Sequence, residues 1–200
     1  MKGSLIIVGF FVLGTICGVC HLLPFDIAET NISYYALCAL MFSVGLSVGN
    51  DPQTLKNFRS LNPRLVFLPI MTILGTLAGS AAVSLILTHR SITDCLAVGS
   101  GFGYYSLSSI FITEYKGAEL GTIALLANIS REILTLLAAR CWYDRFGNLA
   151  PISAGGATTM DTTLPIITRT AGQQFVVVSI FHGFVVDFSV PFLVTLFCSI

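Results

Sequence analysis

The sequence predicts an all-α polytopic membrane protein with about five transmembrane helices and two re-entrant or broken helical segments. Three observations predict it. Apolar residues make up 54% of the 200-residue chain and charged ones only 10%, with a mean hydropathy of +0.86, far from the balance of a soluble domain. Apolar runs of the roughly 20 residues that cross a bilayer recur along the chain. Between them lie two stretches crowded with glycine and hydroxyl side chains, 99–114 and 155–165, where a continuous helix is not expected.

In chain order the spans are 4–23, 32–49, 65–88, 120–142 and 175–198, the fourth carrying charges inside it. Lys2 precedes an apolar core as in a signal peptide, but no A-x-A-like cleavage site follows, so 4–23 reads as a first span. Lysines and arginines then orient the chain. With the amino terminus inside, the connector holding Asp26 and Glu29 is outside and the one holding Lys56, Arg59 and Arg64 is inside, so the third span ends outside near Arg90. Two topologies compete for segments 93–112 and 150–168. If both re-enter, the inside holds Lys2, Lys56, Arg59, Arg64, Arg140, Arg145 and Arg169, the outside Arg90 and Lys116, with Arg131 in the membrane. If both cross, making seven crossings, Lys116 moves inside while Arg140 and Arg145 move outside. The first distribution is the more asymmetric and is favoured; both put the carboxyl terminus outside. The chain reads as a single membrane domain, 1–200, with a three-helix part over 1–90 and a part over 91–200 that holds both broken segments.

The stretch GGATTMDTTLP at 155–165 sets Asp161 among two glycines, four threonines and Pro165. Unpaired backbone in hydrocarbon costs several kcal/mol per group, so such a stretch persists only where it is buried in protein or lines a polar cavity. The second stretch, GSGFGYYSLSSIFITE at 99–114, is similar in character. Paired interrupted segments point to the binding site of a carrier. In the fourth apolar run, Asn128, Arg131, Glu132 and Thr135 recur at i, i+3, i+4 and i+7 and so share one helical face. A charge at the bilayer centre costs about 2.5–3.5 kcal/mol on insertion scales, which turns such a face toward the bundle interior or a wet cavity. The alternative is that Arg131 and Glu132 serve helix packing alone. In the last span Ser179, His182 and Ser189 share a broad face, while Asp187, five residues after His182, reads as lying nearer the outer interface.

Other signals carry less. Cys17 to His21 has the CxxCH spacing of haem attachment, but nothing downstream resembles a haem pocket, and Cys38, Cys95, Cys141 and Cys198 have no paired spacing. The glycines at 99, 101 and 103 lack the preceding soluble strand of a nucleotide loop. No metal-ligand cluster or nucleophile triad stands out, so neither an enzyme nor a cofactor is expected. Ten acidic and ten basic residues cancel, giving no pointer to nucleic acid.

Four motifs, GSGFGYYSLSSIFITE, NISREI at 128–133, GGATTMDTTLPIITRTAG at 155–172 and HGFVVDFSVP at 182–191, together resemble the lysine exporters of the LysO family. The motifs cover 99–191; residues 1–90 agree mainly in hydrophobic pattern and in MFSVGLSVGND at 41–51. The resemblance implies a multi-pass protein of the bacterial inner membrane whose substrate is L-lysine. Members of the family are commonly longer by about half, with a further amino-terminal membrane unit. The resemblance therefore implies a small membrane partner that supplies this unit, or a homodimer, with lipid around it. At Asp187 the sequence departs from the usual family residue.

L-Lysine carries one carboxylate and two ammonium groups. On this reading Asp161 and Glu132 receive ammonium groups, while backbone N–H groups and hydroxyls around Thr158, Thr159, Ser106 and Ser108 hold the carboxylate, with Asn128 and Tyr105 beside them. Exporting a cation from a negative interior works against about 2.3 kcal/mol per charge per 100 mV, which calls for coupling to an inward proton. Asp161, Glu132 and His182 are the candidates for proton or ion coupling, with Glu114 guarding the outer mouth and Arg131 forming a structural pair. A carrier of the same build for an organic anion or a sodium-coupled solute, and a non-transporting membrane subunit, remain alternatives.

Overall fold

The computed structural model describes residues 63–87 and 89–200, together with 13, 14, 16–18, 20, 35 and 42. Most of the spans expected at 4–23 and 32–49, and the loop carrying Lys56 and Arg59, lie outside the described residues. By internal contacts the chain forms two compact units, Met1–Ser43 and Val44–Ile200, and the second holds both glycine-rich segments.

Every described element of this second unit is helical. Helix α1 spans Phe67–Ser84. Pro69 falls in its first turn, where the missing N–H has no partner to lose. Helix α2 (Ile92–Gly99) is capped by Ser91, whose hydroxyl accepts the Asp94 N–H at 3.0 Å. Then come α3 (Tyr105–Lys116) and α4 (Ala118–Phe146), separated by Gly117 alone. The short α5 (Ala150–Gly155) runs into a 3-10 turn over Gly156–Met160, and after a three-residue break α6 (Leu164–Ala171) begins. Helix α7 spans Val176–Ser199. Three of these stretches, α1, α4 and Gln173–Ser199, are long and apolar enough to cross a membrane.

Segments 92–116 and 150–171 are each a helical hairpin. Asp94, near the start of α2, pairs with Lys116 at the end of α3, with 3.9 Å between charged atoms. The reversal is made by Phe102 and Gly103, consecutive residues at φ 47° and 94°. In the second hairpin Ile152 of α5 and Ile167 and Ala171 of α6 share one buried cluster with Val178, and Tyr143 and Leu149 pack against it. Tyr143 is at the end of α4, and Gly117 is at its beginning. The hairpins therefore open toward opposite ends of α4, and their turns meet between. Helix α7 joins the two bases: Val178 sits in the cluster of the second, and Cys198 lies within electrostatic reach of Lys116 and Asp94 at the first. Helix α1 packs against α2, α5 and α7 and so belongs physically with the hairpins.

Candidate functional site

The two turns are tied to each other and to α4 by groups that the broken helices leave unpaired. In a continuing α-helix the Ala157 N–H would go to the Ser153 carbonyl; here it donates across to the Phe102 carbonyl at 3.0 Å. That leaves the carbonyls ending α5 without donors, in a partly negative helix end. Arg131 supplies them. Its Nε donates to the Ala154 carbonyl at 2.9 Å and an Nη to the Ser153 carbonyl at 3.0 Å, while the other Nη reaches the Thr76 hydroxyl at 3.2 Å. Its guanidinium also lies over the Phe102 ring, 6.0 Å from the centroid. The partners of Arg131 are thus mainly backbone carbonyls.

Asn128 does the same for the first turn. Its side-chain carbonyl accepts the Gly103 N–H at 2.8 Å, and its amide donates to the Val98 and Ala124 carbonyls at 3.1 and 2.9 Å. Both amide hydrogens are thereby used. Asn128→Leu is expected to strand these buried groups and cost roughly 2–3 kcal/mol, read as a lowered midpoint of thermal unfolding in detergent.

Behind the second turn lies a buried chain of hydroxyls. Thr158 donates to the Gly155 carbonyl at 2.9 Å and meets Thr163 at 3.2 Å. Thr159 Oγ1 lies 2.8 and 2.9 Å from the Gly156 and Ser179 carbonyls. His182 stands between Thr159 Oγ1, 3.2 Å from Nδ1, and Thr72 Oγ1, 2.9 Å from Nε2, and Thr72 continues to Ser153 Oγ at 2.9 Å. This close approach of α7 needs Gly183, where a Cβ would come within 2.6 Å of the Met160 nitrogen.

The acids gather on the other flank of the junction. Glu132 lies close to Thr162 and within electrostatic reach of Asp161; the Asp161 carboxylate takes the Thr162 N–H. Tyr105 faces both acids. Tyr104 lies near Ser106 and within electrostatic reach of Asp161 and Asp187, and Asp187 within reach of Asp161 in turn. Asp161 and Thr162 are exposed on this unit, Glu132 and Tyr105 half-buried. Among the described residues the ion pairs are Arg90 with Glu119, Lys116 with Asp94 and Arg140 with Asp144, so no lysine or arginine neutralises Glu132, Asp161 or Asp187.

Other expected residues fall elsewhere. Ser108 is buried and donates to the Tyr104 carbonyl at 2.9 Å. Glu114 is exposed near the far end of α3, at the base of the first hairpin and away from the acids. Asp187 corrects the sequence reading. It stands midway along α7 and is only 4% exposed, not near an interface. A cavity of about 950 Å³ opens between α1, α2 and α4, from Arg90 and Asp94 down to Asn128 and Arg131; Glu132 and Asp161 do not line it.

Two broken helices meeting turn to turn beside membrane-length helices, with carboxylates at the junction that no lysine or arginine among the described residues offsets, define a polytopic helical membrane protein. The chain belongs to the family described as lysine exporter LysO, whose model matches residues 8–198. It is 35% identical over 196 residues to the lysine exporter LysO of Escherichia coli, covering 98% of this chain and 64% of that protein. It is 33% identical over 196 residues to a protein of Haemophilus influenzae provisionally named a lysine exporter, covering 98% and 96%. The chain thus spans slightly less than two thirds of the first relative and nearly all of the second; the family includes both lengths. No solved structure matches it.

Proposed function

We propose that the chain exports L-lysine across the bacterial inner membrane by secondary active transport, as a carrier of five spans and two re-entrant hairpins with its amino terminus inside and its carboxyl terminus outside. The observation that carries this reading is the group of carboxylates at the junction, Asp161 and Glu132 together, with which no lysine or arginine among the described residues pairs. Two acids held close at mid-depth need a positive guest, and lysine brings two ammonium groups. The names of the relatives support the same substrate.

The substrate carboxylate goes to the start of α3. The first i to i−4 bond there runs from the Ser108 N–H to the Tyr104 carbonyl at 3.2 Å, so the amides before it lie in the partly positive first turn, beside the Ser106 hydroxyl. Tyr105, which faces both acids, packs along the aliphatic stem. Asp161 exchanges the ammonium for an inward-moving proton. Asp161 is exposed on this unit, so the site has a further wall outside these residues, and a small partner subunit or a second copy of the chain is a candidate to supply it.

Uptake of labelled lysine into inside-out vesicles tests the proposal, with the chain alone and with any small membrane protein encoded beside it. Uptake that rises with an imposed proton gradient is expected. Lysine excluded from both preparations, while another solute enters, overturns the reading.

A further inference from the structure

We propose that Asp187 is a binding site for a small monovalent cation, separate from the acids that receive the substrate. Asp187 is 4% exposed, and its Oδ1 has no hydrogen-bond partner. It stands at the middle of a helix of membrane-spanning length. The same point offers a second free oxygen. Pro191 lies inside α7, four residues on, and has no N–H to give the Asp187 carbonyl. One residue therefore carries a carboxylate oxygen without a donor and a main-chain oxygen that lacks its usual helical donor.

The surroundings favour a cation and limit its size. The titratable groups facing Asp187 are Tyr104 from the first turn and Asp161 from the second. Among the described residues no lysine or arginine pairs with it. Phe188 and Phe192, with ring centroids 5.3 Å apart, occupy the exposed side of α7, while Val186 and Val190, on either side of Asp187 in sequence, are fully buried. The carboxylate is thus enclosed in protein. At 4% exposure the carboxylate is closed to an amino acid, which leaves a proton or a bare sodium ion as its counter-charge. A buried carboxylate without a counter-charge is costly, and neutralisation by either ion removes the cost.

Asp161 lies within electrostatic reach, so the two sites are linked. A cation on Asp187 weakens the field that holds an ammonium on Asp161, and an ammonium on Asp161 weakens the hold on the cation, by the same factor. This coupling role rests on the lysine-export reading; the existence of the site does not.

The test uses the full chain in proteoliposomes adsorbed on a capacitive electrode, without lysine, subjected separately to a proton jump and a sodium jump. A transient charge displacement that survives Asp161→Asn, and that Asp187→Asn reduces by about tenfold or more, is expected on one of the two jumps, which identifies the ion. Lysine counterflow by the same preparations reads the other half. In the wild type the half-saturating lysine concentration should rise by about tenfold as that ion is raised, and in Asp187→Asn it should not change.

A wild type silent to both jumps, or an Asp187→Asn variant with the full transient, overturns the site. A transient without any lysine counterflow leaves the site standing and overturns lysine as the substrate. Should Asp187→Asn not assemble, Pro191→Ala keeps the carboxylate and returns an N–H to its carbonyl. It is then expected to raise the half-saturating ion concentration by several-fold, and an unchanged value overturns the proposal.

Discussion

Asp161→Asn is expected to lower lysine export by roughly 100-fold or more while folded protein accumulates in the membrane as before. An ammonium about 4 Å from a carboxylate gains on the order of 4 kcal/mol at the effective dielectric of a partly wet site, and asparagine forfeits most of it. The fold should not notice. Asp161 is exposed, and the bond it makes to the described structure is from the Thr162 N–H, which an asparagine carbonyl also accepts. Asp161→Glu keeps the charge and moves it by one methylene, so partial activity is expected. Initial rates in inside-out vesicles, normalised to the amount of folded carrier, check both; export by Asp161→Asn at the wild-type rate would remove Asp161 from the binding site.

The second large effect falls on the junction itself. Gly156 has φ 63° and ψ −128°, a region closed to residues with a side chain, and a Cβ there would run into the Phe102 carbonyl. That oxygen accepts the Ala157 N–H. Gly156→Ala therefore strains the backbone, parts the two turns and displaces the carbonyls that Arg131 caps. A loss of about 3 kcal/mol is expected, seen as a lower unfolding midpoint in detergent and abolished transport. Gly147→Ala is the control. Its φ is 87°, but open space surrounds the site of a Cβ, so backbone strain alone applies and transport should survive.

Much of the fold was legible because interruptions in apolar helices are written in few residue types. Gly99 to Gly103 and the run from Gly155 to Pro165 sit where α2 gives way to α3 and α5 to α6. The polar stripe of α4 was legible as a face, since Asn128 and Thr135 are both buried. The separate roles on that face were not. Arg131 reads as half of a structural pair, and the sequence does not say that it caps carbonyls freed where Ala157 bonds across to the other hairpin. Asn128 reads as a ligand and is instead used up by the turn at Gly103. Such assignments depend on which backbone groups a break leaves free, a property of two distant segments together. Asp187 was missed although a local signal existed: a proline four residues after an acid inside an apolar helix frees two oxygens of one residue at once.

The central claim is that the meeting of the two turns is wetted and holds a positively charged guest at Asp161. Position 162 reports on it directly, because Thr162 is exposed beside Asp161 and lies close to Glu132. In a background with the six native cysteines replaced, Thr162→Cys should react with a water-soluble, membrane-impermeant thiol reagent applied to opened vesicles, and millimolar L-lysine should slow that reaction severalfold while glutamate does not. A thiol that never reacts, or one that lysine leaves as reactive as before, contradicts the account.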